Sequence, residues 1–517
     1  MNRQNVFWIL LTSVGLIVTF PPFPTGLMAV VVLVPFFFYL RDKSPWEAFR
    51  GGYAIGVLWA GGTIYWIGWA TVSGFLGALL FVPLYSALFA IVQSWLWNRF
   101  GSASFWAAPF LWTGIELLSS WGILGFPWNS LAHTQTYFPI LIQYASLTGM
   151  YGVTFWVVML NVLFFFLVER EGRRKQLPVF ILGIGLLFII PLAYGRWVLS
   201  RPHDPETQLR VSLVQGNIDP YKKWTSSFVD SNFVVYRRLT WQAGDQNPDL
   251  VVWPETAAPC YLRHRFSYLN QVKSQFDSLG IPLLTGSPDY EWIERDKVKK
   301  YNGALFIHPN SWRIEWYYKM HLVPFSERVP LVDRMPFLYD ILSKMDSSIG
   351  DFSPGDSTKV FEFELTSTRK KVPFSVVICY ESIFPYLVRK FVKEGAQFLV
   401  VITNDGWFGK TSGPYQHAQF AVLRAIENRV WIARCANTGI SGFIDPFGRI
   451  VARTSLNEEA VLTGLISVGN ERTFFVTHGS LFPFLVVVMN SFIFIFAFLG
   501  KGGQRFRSLK REHRNRK

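Results

Sequence analysis

Three segments each place a residue that can do chemistry just past an apolar, β-branched run. "LVVWPETAAP" carries Glu255, "WYYKMHLVPFSERVP" carries Lys319 and "SVVICYES" carries Cys379. A free thiol has a pKa near ~8.5, so only a few per cent is thiolate at neutral pH. A carboxylate within hydrogen-bond reach can take the thiol proton as the sulfur attacks. A lysine held beside both can stabilise the oxyanion of a tetrahedral intermediate, a donor typically worth ~3–4 kcal/mol of barrier. Taken singly, each residue also has a plainer reading. A buried cysteine packs as a small hydrophobe, a glutamate after proline is commonly a solvated turn residue, and Lys319 fits an exposed surface lysine. The remaining cysteines, Cys260 and Cys435, lack such a setting and are expected to be structural. With no CxxC and no Cys/His cluster, neither a disulfide framework nor a metal site is supported.

The elements that must position these residues are short and repeated. "RVSLVQGNI" (210–218), "DLVVWPE" (249–255), "IPLLTGS" (281–287), "NGALFI" (302–307), "VPFSVVICY" (372–380) and "FLVVITND" (398–405) are β-branched runs closed by Gly, Asn, Asp or Pro. Helical patterns intervene at 223–242, 265–279 and 414–429. Repeated strands and helices predict an α/β domain with a largely buried sheet. Ligand sites of such domains lie beyond the strand ends, where Glu255, Lys319 and Cys379 fall. Residues 205–470 are long enough to bury a full core unaided.

The rest of the chain has another texture. Of 517 residues, 50% are hydrophobic and only 16% charged, below the ~25% usual for a soluble domain, which makes a membrane protein the leading class. Apolar runs cover roughly 7–20, 25–40, 53–72, 75–97, 104–123, 151–168, 178–196 and 480–499, most of them near the ~20 residues that cross a bilayer. The expectation is a polytopic helical protein with about eight spans: seven within residues 1–200, one at 478–500. The first two runs are broken by Pro21, Pro22, Pro24 and Pro35, and read as two short spans or one re-entrant hairpin. Arg3, then Arg41, Lys43 and Arg50, then Arg99, then Arg170, Arg173, Arg174 and Lys175, mark alternate loops, while the loops between them lack Lys and Arg. That alternation predicts cytoplasmic N- and C-termini and an extracytoplasmic α/β domain. Net charge is +15, of which the final seventeen residues, with eight Lys/Arg against one Glu, supply +7. A basic tail beside a hydrophobic segment points to anionic cytoplasmic lipid rather than nucleic acid.

The order Glu255, Lys319, Cys379, spaced by about sixty residues each time, together with "NDGWFG" (404–409) and "RAIENRVWIARCANTGISGFIDPFGRI" (424–450), resembles the nitrilase superfamily of carbon–nitrogen hydrolases across residues 208–466. The resemblance implies an αββα sandwich, here inserted between transmembrane helices. With the membrane runs, "VQGNI…KW", "YYKMHLVPFSERVP" and "CYES", residues 1–500 resemble the apolipoprotein N-acyltransferase family of bacterial inner membranes. "ELLSSWGILGFPW" (116–128) is similar to that family's membrane half, although Ser119 and Ser120 stand where an arginine is usual. Glu116 is a candidate partner site there, since an intramembrane acid is costly and often functional.

What the resemblance implies is a two-step transfer. Cys379 takes an acyl chain from the sn-1 position of a phospholipid as a thioester, with Glu255 as general base and Lys319 at the oxyanion. The α-amino group of a diacylglyceryl-cysteine at an apolipoprotein N-terminus then removes it. Glu327 is expected to hold Lys319, Tyr380 and Glu381 to adjoin the pocket, and Trp224 to wall its entrance. The aromatic segment 334–345 is a candidate gate to the bilayer. No cofactor or metal is expected, and the enzyme is expected to be a monomer, multi-pass in the inner membrane with a periplasmic catalytic domain. A membrane-anchored amidase using the same triad, with water as acceptor, is the alternative.

Overall fold

The protein is represented by a computed structural model that describes residues 3–169, 174–201, 207–295, 297–330, 332 and 350–499. The candidate gate at 334–345 and the basic tail lie outside the described residues. Two compact units make up the chain: Met1–Tyr65, Phe75–Ser200 and His478–Lys517 form one, and Trp66–Gly74 with Arg201–Thr477 the other.

The first unit is helical. Among the described residues four stretches are long and apolar enough to cross a bilayer: Val72–Ser119, Met150–Val168, Leu177–Ser200 and Leu481–Leu499, with Arg3–Val18 and Gly26–Leu40 as shorter apolar helices. Val72–Ser119, 48 residues long, takes in two of the runs read from composition, 75–97 and 104–123. The irregular stretch behind Pro21–Pro24 opens into a 3-10 turn, Gly26–Val30. Its backbone is satisfied by Asn161, whose amide donates to Ala29 O at 2.8 Å and accepts from Leu33 N–H at 2.7 Å. An apolar interior tolerates non-helical backbone only where protein groups supply such partners. Helices Pro45–Thr63 and Pro83–Phe100 cross closely at Gly52, where an added Cβ would lie 2.6 Å from Ala90 Cβ and 2.8 Å from Ser86 O; small residues permit that approach. Glu116 is buried and saturated: it accepts from Trp112 Nε1 (3.0 Å), Leu131 N–H (2.8 Å), Thr154 Oγ1 (2.6 Å) and Ser130 Oγ. Those contacts give it a packing role, tying the 130–131 turn to two helices. The C-terminal helix Leu481–Leu499 closes on this unit through Asn490, which donates to Phe110 O at 2.8 Å.

The second unit is an αββα sandwich. One sheet comprises β1 (Thr207–Gln215), β2 (Leu250–Val252), β3 (Leu283–Glu294), β4 (Lys297–Ile307), β5 (Ile314–Tyr318) and the late strand β12 (Ala460–Val468), in the order β12-β1-β2-β3-β4-β5. The other comprises β6 (Phe361–Glu364), β7 (Lys371–Ile378), β8 (Phe398–Thr403), β9 (Trp431–Ala436), β10 (Gly442–Ile444) and β11 (Ile450–Arg453), in the order β11-β10-β9-β8-β7-β6. Each sheet has a parallel trio, β1-β2-β3 or β7-β8-β9, with antiparallel neighbours outside it. Strands of those trios are buried along most of their length, which is why they read as continuous apolar runs rather than alternating ones. Cys435 on β9 packs between the sheets, its thiol 3.4 Å from Val252 O and 3.6 Å from Val214 O, as expected of a structural cysteine. Helices Ser226–Gly244 and Phe266–Leu279 cover the first sheet through Tyr236, Leu239, Val272 and Phe276, packed against Trp253 and Val251. The loop Trp66–Gly74 belongs with this unit: Trp66 stacks edge-on to Phe408 at 4.5 Å and donates to Gln416 Oε1 at 3.1 Å, while Tyr221 OH donates to Trp69 O at 3.1 Å.

Candidate active site

The reactive residues leave the ends of strands from both sheets. Glu255 follows β2, Lys319 follows β5 and Cys379 follows β7, and the sandwich brings the three together. Lys319 Nζ lies 3.5 Å from Glu255 Oε1 and 2.9 Å from Glu327 Oε1. Glu255 and Lys319 are buried and Cys379 is partly buried, and both Glu255 and Lys319 act electrostatically on the Cys379 sulfur. Glu255 is pinned from two further directions: Asn302 Nδ2 donates to Oε1 at 2.8 Å, and Asn404 N–H donates to Oε2 at 2.9 Å. Asn302 also donates to Glu327 Oε1 at 2.8 Å, and Val323 N–H donates to Glu327 Oε2 at 2.8 Å. Glu327 is therefore the closer counter-ion of Lys319.

Burial opposes the Lys319 charge, but Glu327, Glu255 and the Cys379 sulfur outweigh it, and the ammonium is held above its ordinary range. Burial pushes the Cys379 thiol well up, Glu255 adds to the effect, and Lys319 with the Thr403 hydroxyl pulls the other way. The balance is upward, which favours the thiol over the thiolate. This is the division of labour that a carboxylate–lysine–thiol set requires.

Cys379 stands on a sharp turn between β7 and the 3-10 segment Cys379–Ile383, with φ of 50°. A non-glycine residue in this left-handed region is held there at a cost of ~1–2 kcal/mol. Glu381 is one restraint. It accepts from Ile378 N–H (2.8 Å) on its own turn, and from Tyr317 OH (2.6 Å), Met320 N–H (2.6 Å) and His321 N–H (3.3 Å) on the Lys319 segment. It therefore fastens the Cys379 turn to the Lys319 segment. Burial raises its carboxyl to about 7 against the pull of those donors. Tyr380 is buried edge-on to Phe384, 5.1 Å between ring centres. Trp224 sits in the turn after β1 and is 44% exposed, so it is no core aromatic.

Several partners escaped the sequence reading. Asn302 and Asn404 lie in "NGALFI" and "NDGWFG", read only as strand and motif. Lys223 precedes Trp224 and is buried; its Nζ donates to Thr256 O at 3.2 Å and to Thr256 Oγ1, clamping a residue with φ of 48° immediately after Glu255. Burial lowers that ammonium to about 7, with Glu255 pulling it back up. Among the described residues no three His, Cys, Asp or Glu side chains gather to hold a metal.

This fold and triad define the class. Residues 210–473 match the carbon–nitrogen hydrolase family model, and residues 12–163 match the apolipoprotein N-acyltransferase N-terminal domain. Among solved structures, the nitrilase-superfamily protein Nit3 of Saccharomyces cerevisiae aligns at 19% identity and a TM-score of 0.38, covering 52% of this chain and 93% of its own. Curated proteins named apolipoprotein N-acyltransferase match over nearly the whole length. The one from Geobacter metallireducens is 35% identical over 96% of both chains; that from Chlorobaculum tepidum is 34% identical over 92% of this chain and 93% of its own. The chain belongs to the apolipoprotein N-acyltransferase family, and it is a membrane-bound acyltransferase of the carbon–nitrogen hydrolase superfamily.

Proposed function

We propose that the enzyme moves an acyl chain from the sn-1 position of a phospholipid to the α-amino group of an apolipoprotein's N-terminal diacylglyceryl-cysteine, through a thioester on Cys379. The observation that carries this reading is a thiol at a strand end within electrostatic reach of a carboxylate whose neighbouring lysine is paired more closely with Glu327. In the first half-reaction the Cys379 sulfur bonds to the ester carbonyl carbon as Glu255 takes the thiol proton. The tetrahedral oxyanion forms beside Lys319, and the Tyr380 N–H is a second donor. Collapse breaks the carbon–oxygen bond, Glu255 returns the proton to the glycerol oxygen, and a lysophospholipid leaves. In the second, the neutral α-amine bonds to the thioester carbonyl, Glu255 takes its proton, and collapse breaks the carbon–sulfur bond with reprotonation of the sulfur. No diffusible cofactor enters either step.

Both substrates are bilayer-resident, and moving an acyl chain into water costs about 0.8 kcal/mol per CH₂, so the reading includes a pocket reached from lipid. Trp224, exposed beside the Glu255 turn, is an entrance residue. We place the α/β domain, residues 205–470, on the periplasmic side of the inner membrane and both termini in the cytoplasm, with the enzyme acting as a monomer. The support is the alternation of basic and uncharged loops, and the uncharged loop Trp66–Gly74 belonging with the α/β unit.

Mass spectrometry of the purified full-length enzyme after incubation with phospholipid alone tests the reading. An acyl-mass adduct on Cys379, discharged by a diacylglyceryl-cysteine peptide and absent in Cys379→Ala, is expected. Release of free fatty acid with no persisting adduct would instead identify a hydrolase with water as acceptor.

A further inference from the structure

The two half-reactions leave one buried charged cluster unused, directly behind the nucleophile. Asp405 lies in the turn after β8, His417 on the helix Ser412–Asn428 and Arg434 on β9; none is more than 2% exposed. Arg434 Nη2 donates to Asp405 Oδ2 at 2.7 Å, and the Thr403 hydroxyl donates to Oδ1 at 2.9 Å. His417 Nδ1 stands 2.8 Å from the same Oδ1. On its far side His417 Nε2 is 3.1 Å from the main-chain oxygen of Cys379 and 2.9 Å from Ser382 Oγ, and Ser382 Oγ is itself 2.8 Å from that oxygen. A chain of contacts therefore runs from Arg434 through Asp405, His417 and Ser382 to the peptide group of the nucleophile.

Such a cluster is an expensive way to fill a core. Three buried charged or titratable groups gain no stability over apolar side chains of the same volume, so their place against the one strained residue of the triad asks for a reason. Burial opposes the Asp405 charge, yet Arg434 and His417 hold its carboxyl down at about 2; burial and Arg434 in turn keep the His417 ring below its ordinary value. Nδ1 faces the Asp405 carboxylate, and on the other side of the ring the Ser382 hydroxyl donates to the Cys379 oxygen while Nε2 lies within hydrogen-bond distance of both.

We propose that His417, oriented by Asp405 and Arg434, is a positioning residue that grips the Cys379 peptide through Nε2 and Ser382 and keeps the sulfur facing Glu255 and Lys319. This rests on Cys379 being the nucleophile. Two substitutions separate a grip on the nucleophile from mere filling. His417→Gln puts an amide near the Nε2 position and keeps the elbow contact while weakening the link to Asp405. His417→Asn does the reverse, keeping a partner for Asp405 and leaving a gap at the elbow.

The test is single-turnover acylation of the full-length enzyme in detergent micelles, with iodoacetamide alkylation of Cys379 alongside. A displacement of the sulfur by about 1 Å costs about 100-fold. His417→Asn is therefore expected to lower the acylation rate about 100-fold with phospholipid KM within about 3-fold, and His417→Gln to retain at least about ten times the Asn rate. Asn performing as well as Gln, or a loss shared equally by both, overturns the proposal. Ser382→Ala, which leaves the His417–Asp405 pair intact, is expected to slow alkylation about 10-fold at an unchanged melting temperature; unchanged alkylation likewise overturns it. If the unmodified enzyme forms no adduct, the thioester reading fails; if it does and these variants match it, only the grip fails.

Discussion

Replacing Gly286 with alanine tests how closely catalysis depends on where β3 lets the Glu255 turn sit. A Cβ built at Gly286 would lie 2.5 Å from Thr256 N, 2.6 Å from Glu255 Cα and 2.6 Å from Pro254 O. All three are main-chain atoms, so no side chain can swing aside. Ordinary contact begins near 3.4 Å, and the turn must retreat by about 0.8–0.9 Å to accommodate the methyl. The turn is tied to β3 on both sides, Gly286 N–H donating to Pro254 O and Ala258 N–H to Gly286 O, each at 3.2 Å. Overpacking of this kind costs ~1–3 kcal/mol, and a shift approaching 1 Å in a catalytic carboxylate costs about 100-fold in rate. Gly303, on the next strand, supplies the control. Its added Cβ would meet Ser287 O and Tyr318 Cδ1 at 3.2 Å and Tyr317 O at 3.3 Å, so its neighbours need give only a few tenths of an ångström. Single-turnover acylation by mass spectrometry, with thermal unfolding in the same detergent, is the assay. Gly286→Ala is expected to acylate about 100-fold more slowly and Gly303→Ala less than about 10-fold more slowly. Wild-type acylation by Gly286→Ala at an unchanged melting temperature refutes the reasoning.

Three other substitutions probe the site and its supports. Glu327→Gln removes the 2.9 Å counter-ion of Lys319 and turns Glu255 from base into ion-pair partner; acylation should slow by at least about 10-fold with little change in unfolding temperature, and an unaltered rate would count against the assigned roles. The Asp405 carboxyl, folded near 2 against an ordinary 3.8, contributes stability that is full above pH 3.8 and lost as pH falls through about 2. Asp405→Asn lacks that contribution, so the stability gap between the two proteins, about 2 kcal/mol from this group at pH 5, should narrow by pH 2 in thermal unfolding. In the helical unit, Asn161→Leu leaves Ala29 O and Leu33 N–H without their side-chain partner; a loss of ~1–3 kcal/mol is expected, read as earlier thermal aggregation in detergent, and an unshifted curve would remove the assigned role.

The strands of both sheets were legible because the trios β1-β2-β3 and β7-β8-β9 are buried on two faces, and continuous β-branched runs closed by turn residues are what that burial selects. The helical half was legible in kind, as a set of apolar helices. Hydropathy registers apolar composition, while the broken stretch near Gly26 is decided by Asn161, 132 positions from Ala29 in the chain. A tryptophan just past a strand fits either a core or a rim, and exposure decides that Trp224 is not in the core. Glu381 looked like a pocket neighbour because it adjoins Cys379; only the fold shows it spanning to Met320 and Tyr317.

What the sequence by itself determined is the kind of reactive group and its local stage: a thiol, an amine and a carboxylate, each released at the end of an apolar strand, in a chain with apolar helices on either side. Strand periodicity and turn chemistry are properties of neighbours in the chain, so they survive without coordinates. Tertiary structure alone decided which groups share a charge and which share a proton. Asn302 bridges two carboxylates, Lys319 lies nearer Glu327 than Glu255, and His417 joins Asp405 to the Cys379 main-chain oxygen. These partners lie from 8 to 64 positions and more apart along the chain, and only the order of strands in two facing sheets sets such distances.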